Sequence, residues 1–309
     1  MSSKPRVVAV LFGRPGTDPL EIGAFNAAGV QGLSRAAHLP VRLETVWEPN
    51  PARRTATIEA AAARAELVVA HGGQGEAAVA AVAPAFPDVA FAVTQGRITG
   101  PNIAGFEVLQ EQSAFLAGAL AGWWIAPGGI AAHLSGEPVP PGLRGRAGFA
   151  AGLAHANPTA RLLSGFCGNQ HDPDLAARWI DGQAAAGATL NFAMLDGGRA
   201  GAIAACKAAG MRAIGNVRDW TVEDPVFLAS AIADNGVAML AAIEAFLAGA
   251  FADRRIGLEV PQAVRLALAA DVPAELAARL AVLRAAVLDG AVRVPETWQG
   301  AEWAPQRAT

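Results

Sequence analysis

Apolar and polar positions along this chain follow two alternating rhythms. Short runs of consecutive apolar, often β-branched residues, such as RVVAVLF, ELVVA and DVAFAV, are separated by longer alanine-rich stretches. Short apolar runs bounded by turn signals read as strands buried on both faces, and the longer stretches read as helices. The first half therefore predicts a strand at 6–12, a helix over about 25–37 and the strand VRLETVW. A helix over 52–64, the strand ELVVA, a helix over 76–82 and the strand DVAFAV follow. From Gly129 the rhythm starts again, with GIAAHL, ARLLSGF, TLNFAML and MRAIG as strands and helices over 143–154, 174–186 and 199–209. Pro138, Pro140 and Pro141 mark a loop, while Pro158 and Pro173 mark helix boundaries. Such alternation predicts parallel sheets with helices on both faces, in two successive α/β halves.

Composition sharpens this picture. A chain of 309 residues has room for two domains of ordinary size, and 53% hydrophobic content with 17% charge implies packed cores. A net charge of −3 without a basic stripe argues against nucleic acid as a partner. No apolar run approaches the ~18 residues of a membrane span, so the apolar stretch at 115–125 is read as a buried helix and no membrane insertion is expected. The opening MSSKPRVVAVLFG enters a strand with no cleavage site behind it. As written, the chain is expected to be cytoplasmic, and periplasmic if a leader has been omitted. Cys167 and Cys206 are too few for a disulfide framework, and Cys206 in AIAACKAAG reads as a core filler.

The most informative stretch is 101–122, PNIAGFEVLQEQSAFLAGALAG, where a short extended run passes into a helix of small residues. It resembles the signature N-V-A-x-x-x-F/V-x-x-E-x-x-x-F-L-A-G of the basic membrane protein family. Asn102, Ile103, Ala104, Glu111, Phe115, Leu116, Ala117 and Gly118 carry the match. The resemblance implies a solute-binding protein that feeds purine nucleosides and related compounds to an ABC importer. It also implies the type I periplasmic-binding fold: two doubly wound parallel-sheet lobes joined by a hinge, with a ligand cleft between them. PVFLASAI and the helix over 237–247 resemble that fold's return crossing, and the tail resembles the family's closing strand pair, helix and G-x-I/V-x-V-P. On this basis residues 1–107 with 232–255 form the N-terminal lobe, and 108–231 with 256–309 the C-terminal lobe.

In open α/β sheets, ligands bind beyond the carboxyl ends of the strands, where helix N-termini offer free N–H groups. Ala24-Phe25-Asn26, with Gly32-Leu33, resembles the family's S-F-N-x-x-x-x-x-G-L, in which the Phe stacks on the ligand's base and the Asn assists. Those roles are carried to Phe25 and Asn26; the other reading is a core residue at a helix start followed by a cap. His71-Gly72-Gly73-Gln74-Gly75 opens a helix, with Gly73 allowing close approach and Gln74 standing where the family tends to place an aromatic residue. Thr94-Gln95-Gly96 stands where the family commonly has an Asp.

In the second half, Gly165–Pro173 resembles the family's x-G-S-F/W-x-D-P loop, with Gln170 in place of a second stacking aromatic and Asp172 read as a helix cap. Asp196-Gly197-Gly198-Arg199 resembles the A-G-G-x-G loop; its spacing does not suit a dinucleotide, and no nucleotide cofactor is expected. At 214–220, IGNVRDW departs from the family's I-G-V-D-x-D-Q, whose acid binds the ribose hydroxyls; Asn216 and Asp219 are the nearest polar candidates. Ala233 stands where the family has a ribose-contacting Lys. Trp220 offers replacement stacking area, or is an ordinary surface or hinge tryptophan. A free base or another flat, amide-bearing heterocycle then suits Phe25 together with the amides of Gln74, Gln95, Gln170 and Asn216, which pair as donors and acceptors.

Cys167, His171 and Asp172 lie close in sequence and invite a Cys-His reading, but no oriented base or oxyanion site accompanies them. The histidines show neither i, i+4 pairing nor carboxylates at ligand spacing, so no metal is expected. The expectation is a non-enzymatic solute receptor, with an ABC permease as its possible partner. A cytoplasmic ligand sensor on the same fold is the alternative, and an enzyme of purine or amide metabolism a distant third.

Overall fold

The computed structural model describes residues 4–13 and 23–305. The segment 14–22, which joins the first strand to the first helix, and both chain ends lie outside the described residues, including the first three residues of the opening read for a leader. The chain divides into two compact units, one running to Val108 with Asp234–Ile256 added, the other Leu109–Ala233 with the chain from Gly257 onward.

The first unit begins with β1 (Arg6–Phe12), α1 (Ala24–Arg35), β2 (Arg42–Glu48), α2 (Arg54–Ala62) and β3 (Leu67–His71). It continues through α3 (Glu76–Val82), β4 (Ala90–Thr94) and β5 (Ile103–Val108). The second unit holds α4 (Gln110–Trp124), β6 (Ile130–Ser135), α5 (Pro140–Ala156), β7 (Arg161–Phe166) and α6 (Pro173–Ala185). Then come β8 (Ala188–Met194), α7 (Arg199–Ala208), β9 (Arg212–Val217) and β10 (Phe227–Ala233). The chain returns to the first unit for α8 (Asn235–Leu247) and β11 (Arg254–Ile256), and closes in the second with β12 (Val264–Leu268) and α9 (Ala274–Leu288).

Among the described residues the first sheet has six strands in the order β11-β5-β4-β3-β1-β2, all parallel. The second has six in the order β12-β10-β9-β8-β6-β7, parallel except for β12, which runs antiparallel to β10. Central strands such as Val7–Phe12 and Leu67–His71 are buried throughout, which is why they read as unbroken apolar runs. Val8, Val10, Phe12, Ile58, Val79 and Phe91 anchor the first core; Leu134, Ile180, Cys206 and Phe227 anchor the second.

The signature stretch turns out to be a packing device. Asn102, just before β5, donates its side-chain amide to the carbonyls of Phe86 and Val89, each at 2.9 Å, and to that of Ala83 at 3.2 Å, tying down the segment that leads into β4. Along α4 the small residues let α5 approach backbone to backbone. A Cβ on Gly118 would lie 2.0 Å from the Phe149 carbonyl oxygen, and one on Gly152 would lie 1.9 Å from that of Phe115.

Two expectations are corrected. Pro140 and Pro141 do not form a loop but open α5, where a missing N–H costs nothing in the first turn. The predicted strand pair of the tail is split: β11 pairs with β5 in one unit and β12 with β10 in the other. Among the described residues, no helix is long and apolar enough to cross a membrane.

Candidate functional site

In the first unit the predicted residues gather around Gly72, at the carboxyl end of β3. Phe25, in the first turn of α1, stacks on the imidazole of His71 with ring centres 4.3 Å apart and planes 21° from parallel. A hydrogen-bonded relay fixes this pair. His71 Nε2 contacts the Phe25 carbonyl at 3.0 Å and, because a carbonyl only accepts, must carry the proton. Nδ1 then accepts from Thr94 Oγ1 at 2.9 Å, and Thr94 Oγ1 accepts from the Gly72 N–H at 2.9 Å. Burial pushes the imidazole pKa down to about 4, partly opposed by the Phe25 carbonyl, so His71 is neutral. Gly72 holds φ +110°, a conformation that favours glycine, and a Cβ there would lie 2.7 Å from Gln74 Oε1 and 3.3 Å from the Phe25 ring.

Asn26 is not a cap: α1 is capped by Gly23, and Asn26 lies buried one turn in. Its Nδ2 donates to the Phe12 carbonyl at 3.1 Å, while among the described residues no donor reaches Oδ1. A buried acceptor without a partner carries a desolvation penalty, which a ligand N–H would relieve. Gln74 is exposed, and its carbonyl faces Arg54 Nη1 at 3.5 Å. Gly73 lies against the main chain of Gln95. Gln95 itself is buried with φ 57°, and its side-chain amide both donates to and accepts from the backbone of Val108 at 3.2 Å. That amide extends the β4–β5 ladder, which corrects the expectation that it faces a ligand.

The second unit forms a separate cluster. The Gln170 carbonyl accepts from the N–H groups of Asp196 at 3.1 Å and Gly198 at 3.0 Å, pinning two predicted loops together. Asp172 caps α6 by accepting from Leu175 N at 2.9 Å, as its position suggested. Asn216 accepts from Arg199 through Oδ1 and from Trp220 Nε1 through its carbonyl at 2.8 Å. The Trp220 ring carries Arg199 at 4.3 Å and Arg218 at 4.0 Å from its centre, so the indole is already a platform for cations. Asp219 turns its carboxylate to Thr221, accepting from N at 3.0 Å and from Oγ1 at 2.6 Å. Ala233 is buried at the end of β10.

Arg199 was not singled out in the sequence. It is buried at the start of α7, bound to the carbonyls of Leu195 and Ala193, and burial lowers its pKa to about 10. Its signal was a guanidinium directly after Gly197-Gly198 in an apolar neighbourhood. Cys167 donates its thiol to the Asn169 carbonyl at 3.2 Å, and burial raises its pKa. A thiol held in the protonated form is a poor nucleophile, so the Cys-His reading gains nothing.

Residues 25–255 match the sequence model of the Bmp family, described as ABC transporter substrate-binding protein PnrA-like. Among curated proteins none matches the chain. The structure resembles an ABC transporter system solute-binding protein from Conexibacter woesei DSM 14684, with 26% identity, 95% of this chain and 99% of that one covered, and a TM-score of 0.73. It resembles another from Aeropyrum pernix K1 at 19% identity, with 94% of each chain covered and a TM-score of 0.78. A transcriptional activator of the comK gene from Bacillus halodurans has 18% identity, with 94% and 99% covered and a TM-score of 0.78. The last two speak to the fold alone. The family and the first two of these structures are solute-binding proteins, not enzymes.

Proposed function

The chain belongs to the ABC transporter substrate-binding protein PnrA-like family, and from that premise we propose that it carries a small, flat heterocycle, a purine base or nucleoside-like compound, to an ABC permease. The observation that carries this reading is the Phe25–His71 stack, followed in the chain by Asn26, whose Oδ1 has no partner among the described residues. A half-buried ring held rigid by the His71 relay is a preorganised stacking surface, and an acceptor lacking a donor suits a lactam N–H. A free base fits better than its nucleoside. The polar groups nearest the family's ribose-binding positions are engaged elsewhere, Asn216 Oδ1 by Arg199 and Asp219 by Thr221, and Ala233 has no polar side chain.

Thermal melting against free bases and their nucleosides tests this directly. A base present at about a hundred times its Kd should add about 2.7 kcal/mol of stability and raise melting by several degrees. Phe25→Ala should abolish that shift. Nucleosides that bind as well as bases would overturn the lost-ribose argument, and a shift that survives in Phe25→Ala would overturn the site. The sensor alternative would keep the protein in the cytoplasm, whereas the importer role places it at the permease's outer face; fractionation of cells expressing the full gene separates the two.

A further inference from the structure

The C-terminal segment of the second unit lies along β7 and against α6 and α5. Trp303 N donates to the Ser164 carbonyl of β7 at 2.7 Å, and its indole meets Trp179 of α6 edge-on at 5.9 Å. Glu302 is ion-paired to Nη1 of Arg146, which projects from the first half of α5. That guanidinium is flanked by two rings, Phe166 at the end of β7 and Trp298 of the segment, each centred 4.7 Å away.

The two partners of this ion pair are unequal. The Arg146 side chain is 8% exposed, that of Glu302 59%. Among the described residues no acceptor reaches Arg146 Nε, so the buried cation has donor capacity that Glu302 does not fill. A guanidinium takes a carboxylate best through two parallel N–H groups. A carboxylate more than half in water is screened and exchanges for a competing anion more readily than a buried one.

We propose that Arg146, with Phe166 of β7 beside it, is an anion site for an aromatic carboxylate, and that Glu302 and Trp298 are the strap's own carboxylate and ring, which occupy it until such an acid displaces them. An aromatic acid would bring a carboxylate in place of that of Glu302 and a flat ring in place of that of Trp298. The site is built within the second unit alone and goes beyond the receptor reading, whose stacking ring belongs to the first.

The test follows strap release and not heterocycle binding, so the two readings fail separately. Hydrogen exchange of residues 297–305 is measured in the full chain during titration with benzoate, with benzyl alcohol as the neutral counterpart and sodium chloride at equal ionic strength. In the natural sequence, benzoate should speed exchange of the Trp303 amide about tenfold, with no response to the other two. Glu302→Gln should loosen the strap without any acid and lower the benzoate midpoint about fivefold. Arg146→Gln should lose the benzoate response; if that variant does not fold, the Glu302→Gln comparison still decides. Exchange that benzyl alcohol or chloride speeds equally, or a benzoate midpoint unmoved by Glu302→Gln, overturns the proposal. A purine base that raises melting while benzoate leaves the strap untouched would overturn it and spare the receptor reading.

Discussion

His71 has both ring nitrogens engaged, and this fixes its charge as well as its place. Thr94 is the pivot, since its hydroxyl serves the Gly72 N–H and the imidazole at once. Thr94→Val keeps the shape and leaves both buried groups unpaired, so it should cost about 1–3 kcal/mol for each group in urea unfolding. Thr94→Ser should recover most of that, and equal stability of all three proteins would refute the relay. Phe25 was legible in the sequence through its motif. His71 was not, because 46 residues separate it from the carbonyl it holds and a lone histidine in a glycine-rich loop has no spacing signal. Gln95 was misjudged for a related reason: an amide at a strand end looks free until the fold brings Val108 alongside.

Among the elements, α4 and α5 show what a run of small residues is for. Their backbones touch where Gly118 meets Phe149 and Gly152 meets Phe115, so even one methyl group must push the helices apart. Gly152→Ala should destabilise the second unit by about 1–3 kcal/mol, measured by chemical denaturation, although alanine is the better helix former. A neutral or stabilising result would mean that helix propensity outweighs contact here. Most strands and helices were readable because apolar runs and alanine-rich stretches differ in length. The errors fell where a local signal has two meanings. Prolines punctuate loops and also open helices, as at Pro140, and two neighbouring short strands need not pair, as β11 and β12 show.

Over the whole molecule, each unit buries one neutral histidine. His133 of β6 has one ring nitrogen 3.0 Å from Ser164 Oγ and the other 2.9 Å from Ser135 Oγ. Burial, with the charge of Arg146, holds its pKa near 3, while burial holds that of His71 near 4. Both lie below the ordinary value of 6.5, so the unfolded chain binds these protons first. Stability is therefore full above about pH 6.5 and falls as pH drops through 4, by on the order of 3 kcal/mol or more for each histidine. Carboxylates held low by their partners, such as Glu44 hydrogen-bonded to Arg64, begin to count only below about pH 4.5. Melting temperatures that stay flat from pH 6.5 to 4.5 would contradict this assignment.

Ser164 and its neighbours in β7 have β6 on one side only, because β7 ends the second sheet's strand order. On the other side the Trp303 amide takes up the Ser164 carbonyl, and a Cβ on Gly165 would lie 2.3 Å from the Trp303 carbonyl oxygen. The segment around Trp303 thus acts as a selvedge that keeps the sheet from fraying into a template for another chain. A protein shortened to end before Trp298 should self-associate at concentrations where the full chain scatters light as a single species. The same tendency should appear whenever the strap is lifted, so occupancy at Arg146 and solubility would be two readings of one latch.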